Sequence, residues 1–201
     1  MPGILLCTMP EATLAQTDSS QTQKSKSMKL QVNQQTPGFT TTDVWNSPVS
    51  LQSLKGTRLY LAFMRNAGCP VCNLRTHELL QHAADFERRN IKMLLVYESS
   101  GSQMKEYLAQ ENYPFTFIAD PENRLYLLYG IERSMGKIFK GMFNGLMGKA
   151  SRGKKLHKTK MKQDGHATTI PSEFLIDETG KLVITHYGSY AGDHIPLADI
   201  R

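Results

Sequence analysis

The amino-acid sequence predicts an α/β fold, a central mixed sheet flanked by helices, and three observations carry that expectation. Two short segments, Leu59 to Met64 and Ile91 to Tyr97, are apolar on both faces, as strands covered by helices on each side must be. Between them, from about Pro70 to Arg89, Cys72, Leu79, Ala83 and Phe86 fall along one helical stripe, which completes a βαβ unit with a right-handed crossover. Later, Glu173 to Ile176 and Leu182 to Tyr187 flank the turn Asp177-Glu178-Thr179-Gly180 and predict an antiparallel hairpin.

The remaining elements follow in chain order. The 201 residues suit one domain, assigned to 37–201 and preceded by a tail, 1–36. Ten of the fifteen residues from Thr13 to Ser27 are Gln, Ser or Thr without apolar periodicity, so the tail is expected to be disordered. Its opening apolar run has no basic n-region and is interrupted by Pro10 and Glu11, which argues against a signal peptide or a lipid anchor at Cys7. Met28 is an alternative start. After the βαβ unit, Gly101-Ser102 opens a helix to about Glu111 with Met104, Tyr107 and Leu108 inward. Phe115 to Ala119 reads as a short strand and Asn123 to Tyr129 as a short helix. No apolar run approaches the length of a bilayer span, and three cysteines are too few for a disulfide-stapled secreted scaffold. A cytoplasmic location is expected.

Net charge misleads unless it is placed. The chain carries 24 Lys+Arg and 18 Asp+Glu, a net of +6. Ten of the basic residues and no acidic one lie between Arg133 and Lys162, so the rest of the chain is mildly acidic, at −4. The protein is therefore an acidic domain with one basic insertion, 133–168. In the first half of that insertion Met135, Ile138, Phe139, Met142, Phe143, Leu146 and Met147 keep helical spacing and form one apolar face. From Lys149 to Lys162 the pattern is lost and a mobile basic loop is expected. The apolar face is expected to dock on the parent fold or on a homodimer partner, with the lysines as a solvated fringe. An anionic membrane surface or an acidic redox partner is the alternative. Nucleic acid is disfavoured, because no aromatic residue is interleaved among the lysines of the second half.

The strongest chemical signal is Cys69-Pro70-Val71-Cys72, placed after a buried strand and the small loop Asn66-Ala67-Gly68, at the start of a helix. A cysteine at a helix N-cap faces unpaired N–H groups and the positive end of the helix dipole, which favour thiolate over thiol. Such cysteines have pKa values lowered from about 8.5 to roughly 3.5–7.5. Pro70 suits the first helical position, where no N–H is needed. Cys69 is then the attacking sulfur, and Cys72, one turn on and facing inward, the resolving one. A structural zinc lacks its four ligands, whereas a copper site using both thiols and a distant His186 stays open. His77, His82 and His194 receive no role.

Phe63-Met64-Arg65-Asn66-Ala67-Gly68-Cys69-Pro70-Val71-Cys72 resembles the Phe-x-Arg-x-x-x-Cys-Pro-x-Cys signature of peroxiredoxin-like proteins of the AhpC/TSA family, which have a thioredoxin-like fold. The resemblance extends to Thr36–Gly56, read as that family's N-terminal hairpin, to Ala119-Asp120-Pro121 with Tyr129-Gly130-Ile131, and to Pro171–Asp177 with Gly180. It implies a thiol peroxidase or thiol–disulfide oxidoreductase without metal or organic cofactor. The implied substrate is a small peroxide or a disulfide, and the reductant thioredoxin, glutaredoxin or a low-molecular-weight thiol. It also implies a cis Ile170–Pro171 bond beside the active cysteine. True peroxiredoxins carry Pro seven and Thr/Ser three residues before the peroxidatic cysteine, where this chain has Ala62 and Asn66. They carry an Arg where it has Pro171. The candidate catalytic residues are Cys69, Cys72, Arg65 and Asn66, with Gly68, Pro70, Ile170 and Pro171 as the substrate-binding surround.

Overall fold

The two apolar segments become β3 (Arg58–Phe63) and β4 (Ile91–Tyr97), paired in parallel at the heart of a computed structural model that describes residues 29–156 and 162–201. β5 (Thr116–Ala119) extends the sheet in parallel beyond β4. On the other side β6 (Ser172–Ile176) and β7 (Leu182–Tyr187) add antiparallel strands, giving the order β5-β4-β3-β6-β7. The alternation in β3 and the residue after it sorts two cores. Tyr60, Ala62 and Met64 face the cluster that holds the cysteines, while Leu59, Leu61 and Phe63 face a second cluster with Phe39, Tyr126 and Tyr129. An N-terminal hairpin, β1 (Thr40–Thr42) with β2 (Pro48–Ser50), and the short helix α4 (Arg124–Leu128) lie in chain order as expected. So does α3 (Gly101–Leu108), capped by the Ser100 hydroxyl.

The long helix after β3 is broken into α1 (Pro70–Gln81) and α2 (Ala83–Arg88) at His82, which leaves helical geometry at φ −106°, ψ 10°. The second segment packs against β4 with Phe86 buried. A buried ion network ties α1 to the sheet and to the C-terminal segment. Arg75 donates to both Glu173 carboxylate oxygens (3.0 and 2.8 Å) and to the Ile195 carbonyl (2.8 Å). His194 Nδ1 pairs with the same carboxylate at 2.7 Å. Burial alone would raise the Glu173 pKa, but the Arg75 and His194 charges hold it well below the usual carboxylate range.

Three expectations are corrected. Residues 29–36, assigned to an untethered tail, run beside β7: Asn33 N–H donates to the Leu182 carbonyl (2.8 Å) and Thr36 N–H to that of Gly180 (2.9 Å). The rest of the tail, including Cys7 and Met28, lies outside the described residues. The basic insertion is not one helix and a loop but two helices, α5 (Met135–Phe143) and α6 (Leu146–Lys154), with Gly145 at φ +79° supplying the left-handed turn between them. The apolar face of α5 does not dock on the domain. Ile138 and the following Leu146 turn inward, whereas Phe139 and Phe143 stay exposed, Phe143 at 89%.

Periodicity misses α6 because backbone, not an apolar stripe, seats it. Gly153 lies so close to the first turn of α1 that a Cβ there would come within 1.8 Å of the Pro70 carbonyl oxygen. Only glycine permits that approach, and it does so despite weakening a helix by about 1 kcal/mol relative to Ala. Gly153→Val is expected to unseat α6, cost about 1–3 kcal/mol and accelerate alkylation of Cys69. Thermal melting and a timed iodoacetamide reaction check it, and unchanged values for both would mean that α6 does not rest on α1. Among the described residues no helix is long and apolar enough to cross a membrane.

Candidate active site

Parallel strands place their following loops at one sheet edge, and here the loops after β3 and β4 meet there. Arg65 and Asn66 follow β3, and Glu98, Ser99 and Ser100 follow β4. Cys69 is the N-cap of α1, with extended backbone (φ −79°, ψ 111°) and Pro70 as first helical residue. Its Sγ accepts the Cys72 backbone N–H at 3.3 Å and lies 2.8 Å from Cys72 Sγ, so a disulfide closes without moving the helix. Both cysteines are free and 1% exposed.

Arg65 organises the pair. Its Nη2 donates to Cys69 Sγ at 3.0 Å, its backbone N–H to Cys72 Sγ at 3.4 Å, and its Nη1 to the Ala167 carbonyl at 2.8 Å. Burial would raise the Cys69 thiol, but the hydrogen bond from Cys72, the Arg65 charge and the Cys72 backbone N–H bring it down to about 6. Burial and the adjacent Cys69 push the Cys72 thiol up, so Cys72 keeps its proton at neutral pH. The site thus separates an ionised sulfur from a protonated one.

The other expected residues are placed less uniformly. Asn66 is buried, and its backbone carbonyl accepts the Cys69 N–H at 3.0 Å. Its side-chain Oδ1 has no hydrogen-bond partner among the described residues. Gly68 lies in the turn before Cys69, and Pro70 lies beneath Gly153. Ser172 pairs with Phe63, which sets Ile170 and Pro171 beside the end of β3. The expected cis Ile170–Pro171 bond is corrected: no cis peptide occurs among the described residues. The chain there is held extended, with Ile170 N–H on the Glu132 carbonyl (3.0 Å) and the Pro171 carbonyl accepting Gly188 N–H (3.1 Å). His186 faces Asp193 at 3.5 Å, and no group of three His, Cys, Asp or Glu among the described residues is arranged to hold a metal.

Sequence reasoning misses the strap over the site, residues 164–169. Asp164 accepts from the Ser99 hydroxyl (2.5 Å) and the Ser100 N–H (3.0 Å), and the Ser99 hydroxyl in turn accepts the Ala67 N–H at 2.8 Å. The buried Glu98 carboxylate accepts from His166 N–H (2.6 Å) and the Thr169 hydroxyl (2.7 Å). Between these anchors lies Ala167, whose carbonyl orients the Arg65 guanidinium. The one signal for it is position: Glu98-Ser99-Ser100 follows the strand parallel to the one that Arg65 follows.

Known proteins share this architecture. A peroxiredoxin 6 mutant of Arenicola marina superposes with TM-score 0.61 at 16% identity, over 85% of this chain and 70% of that one. A Chlorobium tepidum protein provisionally named a thiol:disulfide interchange protein DsbE gives 0.55 at 22% identity, over 79% and 86%. At those identities the likeness shows the fold, which is thioredoxin-like. By sequence, a Mycobacterium tuberculosis protein provisionally named a peroxiredoxin is 21% identical over 174 residues, 85% of this chain and 94% of that protein. The profile of the AhpC/TSA family matches residues 32–185, a span that takes in the hairpin, both cysteines, the insertion and the late strands, and the chain belongs to that family.

Proposed function

We propose that this chain is a thiol peroxidase that reduces hydrogen peroxide or a small organic hydroperoxide through Cys69, with Cys72 resolving. The observation that carries the reading is the Arg65 guanidinium 3.0 Å from the sulfur of a Cys69 that is 1% exposed, with α6 packed on the adjoining first turn of α1. With the cysteines this closely covered, a small peroxide has easier access to the ionised sulfur than a folded protein disulfide, which must first displace the cover. The Cys69 thiolate attacks the distal peroxide oxygen, the O–O bond breaks, and the leaving oxygen departs as water or an alcohol after taking up a proton. Arg65 stabilises the negative charge as it passes from sulfur to oxygen. The Cys69 sulfenic acid then condenses with the Cys72 thiol, releasing water and closing the Cys69–Cys72 disulfide. No metal or organic cofactor enters these steps. A thioredoxin-type protein, glutaredoxin or a low-molecular-weight thiol supplies two electrons to reopen the disulfide. That step needs the cover to move, since Cys72 is as buried as Cys69.

Ala62, Asn66 and Pro171 stand where peroxiredoxins carry Pro, Thr/Ser and Arg, and this departure favours disulfide exchange as the second reading. A direct comparison separates the two. With thioredoxin and its reductase as electron source, peroxide-dependent turnover is expected to exceed reduction of insulin disulfides by the dithiol form. Faster insulin reduction with negligible peroxide turnover would replace the peroxidase reading with the exchange reading.

A further inference from the structure

The insertion that packs on α1 also presents a surface that the thiol chemistry does not use. Met135, Phe139, Met142, Phe143 and Met147 are 58%, 58%, 49%, 89% and 64% exposed, on the outer side of α5 and the corner leading into α6. This is not a face waiting for its own domain. Ile138 and Leu146 already pack inward, Gly141 lies against the Ala191 carbonyl, and Lys137 and Lys149 fasten the helices to the carbonyls of Gly188 (2.7 Å) and Gly192 (2.6 Å). Lys140 on α5 and Arg152, Lys154 and Lys155 at the far end of α6 are all exposed, and the sequence from 133 to 162 holds no carboxylate.

Charge decides what covers it. A second copy of the same face would set cations against cations in an apolar contact, where like charges are costly. Met142, Phe143 and Met147 flank the turn between the two helices, with Phe143 the most exposed, which suits insertion between lipid chains better than seating in a protein groove. Flexible Met and Phe side chains flanked by Lys and Arg form the pattern by which amphipathic helices settle at a headgroup boundary. The remainder of the chain, at −4, is on balance repelled by an anionic surface, which favours approach by this face. We propose that the α5–α6 corner docks the protein on anionic phospholipid membranes, with Phe143 and Met147 entering the interface and the exposed lysines on lipid phosphates. The inference goes beyond the peroxidase reading and is independent of it.

The test is vesicle co-sedimentation of the full chain. Binding to equimolar phosphatidylglycerol–phosphatidylcholine vesicles is expected to exceed binding to pure phosphatidylcholine about tenfold or more and to weaken with added salt. The double variant Phe143→Ser/Met147→Ser keeps the charge and is expected to lose about tenfold or more of that affinity. Its melting temperature and peroxide turnover in solution should match the parent, because neither side chain is buried or touches the cysteines. Absence of binding to the anionic vesicles overturns the proposal. So does binding that the Ser pair leaves unchanged, which would reduce it to lysine electrostatics, and so does equal affinity for polyglutamate, which would assign the face to an acidic protein partner.

Discussion

Cys69→Ser is expected to abolish peroxide turnover, a fall on the order of a thousandfold or more, while Cys72→Ser loses sustained turnover but keeps the first oxidation. The asymmetry follows from the site. Cys69 caps α1 and lies against the Arg65 guanidinium, with its thiol brought to about 6. Cys72 has the same burial but its thiol is raised, because its neighbour already holds the negative charge. A serine at 69 offers no thiolate. A serine at 72 leaves that thiolate in place and removes only the partner that condenses with the sulfenic acid. Stopped-flow peroxide consumption, with and without the reducing system, distinguishes the two losses. Equal loss of the first oxidation in both variants would show that the two sulfurs are not differentiated.

Arg65→Met is expected to have the second largest effect. Removing a full charge 3.0 Å from a buried sulfur leaves burial opposed only by the hydrogen bonds from Cys72, so the Cys69 thiol should rise above about 6. A thiol at about 6 is roughly nine-tenths ionised at pH 7, so a rise past the ambient pH slows the reaction on the order of tenfold or more through loss of thiolate alone. The sign in pH is fixed by the same shift. The parent should gain rate as pH rises through about 6 and level off above it, while the variant should keep gaining into the alkaline range. Thiolate absorbance at the ultraviolet edge, titrated against pH, measures both curves. Coincident curves would mean that Arg65 does not set the Cys69 ionisation.

The parts of this fold that repeat an apolar pattern are legible in the amino-acid order alone. β3 and β4 show themselves by apolar residues on both faces, and β6 and β7 by their turn. The N-cap position of Cys69 follows from strand, small loop and Pro70. What the pattern hides is held by backbone or by distant polar pairs. α6 is seated through Gly153 on the Pro70 carbonyl, a contact that leaves no mark in a hydrophobic pattern. The strap depends on Glu98, which holds His166 and Thr169, and on Asp164, which reaches back to Ser99 and Ser100, two carboxylates that look like ordinary surface groups in the sequence. Arg65 lies between the two cases. Its spacing from Cys69 suggests a cation at the site, and the orientation that brings it onto the sulfur comes from Ala167.

The role of the insertion is the largest revision. Its residue pattern predicts an amphipathic helix followed by a loop, and instead it packs α6 on the first turn of α1 and leaves Phe139, Met142 and Phe143 of α5 exposed. On the proposed function, substrate choice depends on a segment outside the Cys-Pro-Val-Cys motif. On that reading, Arg65 and the helix start set the chemistry at Cys69, and α6 limits access to it.

Intact and peptide mass spectrometry of the Cys72→Ser variant, treated with one equivalent of hydrogen peroxide, tests the central claim most directly. The account predicts one added oxygen on Cys69, acquired faster than free cysteine is oxidised at the same pH. An unmodified Cys69 alongside oxidised free cysteine, or oxygen found only on the exposed methionines of α5, would contradict it.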